Sequence, residues 1–124
     1  MKNKENQLAN RLLDFAVAVI KLVVKLNKTS AGRYIGGQLM RAAASSGANY
    51  GEACGAESRA DFIHKMQVVL KELRESFYWL QLVKKANLIS DENLTSLLQE
   101  AKELSNIIAK SVITAKEKLK VQNR

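Results

Sequence analysis

The segment LANRLLDFAVAVIKLVVKL, residues 8–26, decides the fold. Leu8, Leu12, Phe15, Val19, Leu22 and Leu26 recur in it at steps of three and four, which places them on one face of a helix. Arg11, Asp14, Ala18, Lys21, Lys25 and, just beyond, Lys28 form a second row at the same spacing, and that row is mostly charged. One side is core and the other is solvent, so the pattern predicts a helix over residues 5–27. Lys21 and Lys25 interrupt the most apolar stretch, so it does not read as a membrane span.

The same periodicity continues through the rest of the chain. Thr29 or Ser30 can cap a second helix, predicted over 30–55, with Ile35, Leu39, Ala42, Ser46, Tyr50 and Ala53 as its buried row. Gln38, Arg41, Ser45, Asn49 and Glu52 make a polar row beside it, and Ala43, Gly47, Gly51 and Gly55 a row of small residues. Each interior glycine costs about 1 kcal/mol of helix propensity relative to alanine, so keeping several in one row suits the close approach of another helix. A break at Gly36–Gly37 is the other reading, and the spacing alone leaves it open.

Ser58 followed by Asp61 has capping-box spacing and opens a third helix, predicted over 58–86, with Phe62, Met66, Val69, Leu73, Phe77 and Leu80 as core. Asn87 is a natural stop because asparagine tolerates the left-handed conformation. Ser90 is expected to cap a fourth helix over 90–119, with Asp91 and Glu92 at the positive end of its dipole. Leu94, Leu97, Ala101, Leu104, Ile108 and Val112 supply its core, and Lys116, Lys118 and Lys120 lie toward its end. Joints of a few residues between such helices imply antiparallel neighbours, and therefore one all-α domain over 1–124, an up-down-up-down four-helix bundle.

Composition agrees. The 124 residues are 47% apolar, contain no proline and carry a net charge of +8. That excess favours anionic partners, nucleic acid before membrane. It is concentrated in residues 1–50, which hold eight basic and two acidic side chains. Cys54 is the only cysteine, which excludes an internal disulfide, and Met1 to Asn10 is polar with no signal-like apolar core. The expected compartment is the cytoplasm.

Enzyme chemistry finds little support. No Gly-Lys-Ser/Thr follows a glycine-rich loop, and one Cys and one His cannot build a zinc site. Cys54 and His64 lack a third, orienting group. A carboxylate-bridged metal site needs two Glu-x-x-His motifs. Here Asp61 and His64 supply that interval once, and although Glu52, Glu72 and Glu75 could add carboxylates, there is no second histidine. The expectation is a protein with no catalytic residue, no metal and no cofactor. Two surfaces remain. Lys21, Lys25 and Lys28, with Arg11, Arg33 and Lys2 or Lys4, could track phosphates, against the plain alternative of a solvated helix face. Gln38, Arg41, Gly47, Asn49, Gly51 and Glu52, with Glu72 and Glu75 as partners for Arg41, are the candidates for packing and self-assembly, against a ligand or RNA contact through Arg41 and Asn49.

The blocks Gln38-Leu39-Met40-Arg41-Ala42-Ala43, Gly47-Ala48-Asn49-Tyr50-Gly51-Glu52-Ala53, Ser58 to Met66, Lys71 to Leu80 and Ala86-Asn87-Leu88-Ile89, in that order, resemble the four-helix-bundle proteins of 23S rRNA intervening sequences. The likeness spans roughly residues 10–115. It implies an antiparallel bundle assembling into a homo-oligomeric ring, a pentamer, that binds RNA or DNA. Related basic bundles are accessory proteins of diversity-generating retroelements and bind a reverse transcriptase as well as nucleic acid. Gly51, Gly55 and Glu57 stand where related proteins often carry basic residues, which shifts the expected contact toward the first helix. A protein-interaction module without a nucleic-acid partner is the alternative.

Overall fold

The computed structural model describes residues 2–123; the side chain of Lys2, grouped above with the basic row, lies outside it. Four helices account for the architecture: α1 (Lys2–Lys25), α2 (Ser30–Cys54), α3 (Arg59–Lys85) and α4 (Asn93–Gln122). The described residues contain no strand. In this four-helix bundle α1 packs on α2, α2 on α3 and α3 on α4, while α4 closes on α1.

Each helix end has a chemical cause. Thr29 is extended, at φ −127° and ψ 159°, and its hydroxyl accepts the Gly32 N–H at 3.0 Å, capping α2. The chain turns so tightly here that a Cβ on Gly32 would lie 2.0 Å from the Leu26 carbonyl oxygen. Helix α2 runs unbroken through Gly36–Gly37, which resolves the alternative left open above. Ser58 Oγ accepts the Asp61 N–H at 3.1 Å, and the Asp61 carboxylate reaches back to the Glu57 N–H at 3.3 Å, one residue earlier than a full capping box. Asn87 sits at φ 52°, and the Leu88 N–H returns to the Val83 carbonyl at 3.3 Å, closing α3 as a left-handed cap does.

The start of α4 differs from expectation. Ser90 does not cap it; the helix begins at Asn93, whose N–H is accepted by Asp91 Oδ1 at 2.8 Å. A charged carboxylate is a stronger acceptor than a hydroxyl, and Asp91 is also fixed by Lys25 Nζ at 2.8 Å.

Leu12, Val19, Leu39, Met66, Val69, Leu73, Leu80, Leu104 and Ile108 form the dry centre, each at most 1% exposed. Phe62 and Phe77, expected in that row, are only partly buried and pack at its edge; Ile63, Ser76 and Val83 take the inner positions on α3. Two buried hydroxyls keep their hydrogen bonds inside their own helices, Ser46 to the Ala43 carbonyl at 2.7 Å and Ser76 to the Glu72 carbonyl at 2.9 Å. No buried side-chain nitrogen or oxygen among the described residues lacks a partner.

Candidate nucleic-acid and assembly surfaces

The five basic residues singled out from the sequence divide into two groups. Arg11 is committed to α4: Nε and Nη2 meet Glu100 at 2.8 and 2.7 Å, and Nη2 also meets Glu103 at 2.9 Å. Those hydrogen bonds, to Glu100 first and then Glu103, raise its pKa well above the ordinary arginine value. Lys25 covers Asp91, whose side chain is only 3% exposed. The Lys25 ammonium and the Asn93 N–H hold the Asp91 carboxyl below the usual carboxylate range. Lys21, Lys28 and Arg33 are exposed and enter no salt bridge among the described residues. Lys25 and Lys28 stand on the rim of an open recess of about 420 Å³, lined also by Thr29, Gly32 and Leu88 where two joints meet.

On the opposite pair of helices, Arg41 reaches from α2 to two carboxylates of α3, as its row implied. Its Nη1 lies 3.2 Å from Glu72 Oε2, and its Nη2 pairs with Glu75 Oε1. The Glu75 hydrogen bond, then the Glu72 charge, raises the Arg41 pKa. Glu72 is buried while Arg41 is exposed, so the network sits at the surface with one end sunk into the bundle.

The other candidates of that face are less alike than their spacing suggests. Gln38 and Asn49 are half-buried, and Asn49 Nδ2 donates to the Ser45 carbonyl of its own helix at 2.8 Å. Glu52 is exposed. Within the protomer the small-residue row does not form one close-packed seam. A Cβ on Gly47 would meet Leu12 Cβ of α1 at 3.7 Å, an ordinary contact, and one on Gly51 would meet nothing within 4 Å. The close approach belongs instead to Gly32 and Gly36, because the α1–α2 joint draws the helices together at that end.

Sequence reasoning missed two surface features. Tyr34, Trp79 and Tyr78 form an aromatic cluster beside Arg41, with ring centroids 6.1 and 5.1 Å apart and edge-on geometry. The indole nitrogen of Trp79 donates to Glu75 Oε1 at 3.5 Å, tying the rings to the charge network. The signal was present: Tyr34 precedes Gln38 and Arg41 by one and two turns, and Trp79 follows Glu72 and Glu75 likewise. The second feature is an exposed apolar row on α1, made of Leu13, Val17, Ile20 and Val24.

The residues that suggested enzyme chemistry have structural employment. Asp61 pairs with Lys65 at 3.1 Å and with the Glu57 N–H, and Glu72 and Glu75 hold Arg41. The described residues contain no His, Cys, Asp and Glu group able to hold a metal ion. Cys54 is exposed, but partial desolvation pushes its thiol above its ordinary pKa, the reverse of what a nucleophile needs. No helix of the described residues is long and apolar enough to cross a membrane.

Comparison with known proteins agrees with this architecture. A crystal structure of a protein of unknown function from the S23 ribosomal protein family of Bacteroides thetaiotaomicron VPI-5482 superposes with a TM-score of 0.80 at 33% identity, over 88% of this chain and 97% of that one. No curated protein matches. The family model described as 23S rRNA-intervening sequence protein matches residues 4–110, most of the chain, and the protein belongs to that family.

Proposed function

We propose that this protein is a non-enzymatic, homo-oligomeric scaffold that binds nucleic acid, RNA or DNA, through a basic surface. The observation that carries this is the division of cations: Arg11 and Lys25 fasten the bundle, whereas Lys21, Lys28 and Arg33 stand exposed without acidic partners among the described residues. Exposed lysines and arginines without groove-reading elements give salt-sensitive, weakly sequence-specific binding to phosphates. The net charge of +8 favours the same class of partner.

An up-down-up-down topology is the finer form of the fold. It is supported by pairs that run in opposite order along neighbouring helices: Arg11 with Glu100 and Lys25 with Asp91, and Tyr34 with Trp79 and Arg41 with Glu72. A ring, a pentamer by the family resemblance, would multiply each weak basic contact. A reverse transcriptase belongs to the same resemblance as a further partner, and the cytoplasm is the proposed compartment.

A second function, a protein-interaction module without nucleic acid, is favoured by the exposed Tyr34–Trp79–Tyr78 cluster beside Arg41, since tyrosine, tryptophan and arginine dominate interface energetics. Fluorescence anisotropy of nuclease-treated protein with structured RNA and duplex DNA, at about 50 and 200 mM salt, separates the two. Binding at low salt that collapses at high salt is the expected result. No binding at low salt leaves the interaction module.

A further inference from the structure

Helices α3 and α4 sort their charges by side. Over Leu70–Lys85 of α3 and Asn93–Ala109 of α4, every acidic residue turns toward one of the other helices. Glu72 and Glu75 hold Arg41 of α2, and Glu100 and Glu103 hold Arg11 of α1. The side that α3 and α4 share is left without a carboxylate. On it Arg74, Phe77, Gln81 and Lys84 follow one another along α3, and Leu98 and Lys102 along α4, at the three- and four-residue steps of one helix face. Arg74, Lys84, Lys85 and Lys102 are exposed and enter no salt bridge among the described residues. Lys84 and Lys85 complement the C-terminal end of the α3 dipole, but Arg74 and Lys102 stand inside their helices, where no helix end favours a cation.

Between the two helices lies an open recess of about 450 Å³, lined by Phe77, Gln81, Lys84, Lys85 and Leu98. Phe77 and Leu98 are partly buried against the core and form its apolar floor. Leu70, also partly buried, lies two turns back from Phe77 and extends the apolar line by about 10 Å at 1.5 Å per residue. The result is a groove that is apolar along its floor and basic along its rim.

That combination fits a helix with one apolar side and carboxylates flanking it. Nucleic acid fits less well, because bases stack on exposed rings and Phe77 is sunk into the groove. The exposed rings, Tyr34 and Tyr78, gather around Trp79 outside it. A second copy of the chain is a poor complement too. The chain carries a net charge of +8, and six of its twelve acidic residues are tied into its own salt bridges.

We infer that the α3–α4 groove is a docking site for a foreign acidic amphipathic helix. The apolar side of that helix lies over Leu70, Phe77 and Leu98, and its carboxylates meet Arg74, Lys84, Lys85 and Lys102. The site uses none of Lys21, Lys28 and Arg33, so this partner and a nucleic acid do not compete for the same cations.

Selection from a phage-displayed library of helical peptides about twenty residues long, or about 30 Å, tests this on the full chain. The selected peptide is then labelled with fluorescein and titrated by anisotropy. Enriched peptides are expected to carry apolar residues at helical spacing with Asp or Glu beside them. Lys84→Glu/Lys85→Glu and Arg74→Glu/Lys102→Glu change only exposed positions, so melting reports an intact fold, and each pair is expected to weaken the peptide at least about tenfold. A peptide with alanine at its apolar positions should lose a similar factor, whereas Lys21→Ala/Lys28→Ala/Arg33→Ala should leave its affinity unchanged. Enrichment of acidic peptides without an apolar repeat overturns the inference, as does a selected peptide indifferent to the groove variants. If those variants weaken structured RNA and not the peptide, the groove is a phosphate track and the inference fails. Loss of RNA binding in the Lys21, Lys28 and Arg33 variant bears on the proposed function alone.

Discussion

The guanidinium of Arg11 grips Glu100 in two places, Nε to Oε2 at 2.8 Å and Nη2 to Oε1 at 2.7 Å, and so fastens α1 to α4. A cation held in that fork has given its donors to a carboxylate and has few left for a phosphate. Arg11→Ala is therefore expected to lower stability by about 1 kcal/mol, the range of a well-formed, partly exposed network. The salt dependence of nucleic-acid binding should not change. Urea unfolding and a salt titration on the same variant check both halves, and a flattened salt slope would return Arg11 to the binding surface.

Lys21, Lys28 and Arg33 should behave in the opposite way. Removing any one of them is expected to leave the melting temperature in place and weaken binding to all sequences alike. Each lost phosphate contact flattens the plot of log K against log salt by about 0.9 for duplex DNA and 0.7 for single strands. A slope that survives the triple alanine variant would place the contact elsewhere.

Gly32 and Gly51 give a contrast within one helix. An alanine at Gly32 drives its Cβ into the Leu26 carbonyl and is expected to cost about 3 kcal/mol, since backbone rather than a flexible side chain must move. An alanine at Gly51 meets open space and should stabilise the protein by up to about 1 kcal/mol through helix propensity. Thermal melts of the two variants should move in opposite directions.

Asp91 links stability to acid. Its folded pKa is depressed, first by the Lys25 hydrogen bond and then by the Asn93 N–H. The carboxylate thus contributes stability that is fully present above the unfolded value of about 3.9, and that stability is lost as pH falls through the lower folded value. Asp91→Asn keeps an acceptor for the Asn93 N–H but removes the charge. Wild type and variant should differ in melting temperature at neutral pH and converge near the acid limit; a gap that persists there would assign the effect to shape.

Cys54 is expected to be a slow nucleophile. Desolvation raises its thiol pKa, so less thiolate is present at neutral pH than on a free thiol. Alkylation by iodoacetamide at pH 7.5 should run more slowly than that of a small-molecule thiol. A faster rate would reopen a chemical role for this residue.

The helices were legible because each carries its own instructions: Leu8 to Leu26 repeats with helical period, Thr29 and Ser58 stand where caps are needed, and Asn87 supplies the left-handed stop. The start of α4 was misplaced because Ser90 and Asp91 are both good caps, and the choice was made by Lys25, distant in sequence. The candidate surfaces were harder. Arg41 could be paired with Glu72 and Glu75 from spacing, but nothing local to Arg11 or Lys25 shows that Glu100 and Asp91 neutralise them. The outer row of α1 was hidden by its neighbours, because a helix so rich in apolar residues displays its buried row first.

That second row has a bearing on how the chain folds. Helix α1 is apolar on both sides, so while the bundle is still assembling either side can offer leucines and valines to the partner helices, and the two dockings compete. Turning the wrong face inward would trap uncompensated charge from Asp14 and Lys21 near the core, strip Arg11 of Glu100, and leave Phe15 and Leu22 in water. The choice between inside and outside on this helix is thus made less by its greasy residues than by the few charged ones set among them, and weakening those charges should make α1 hesitate between two faces rather than simply loosen.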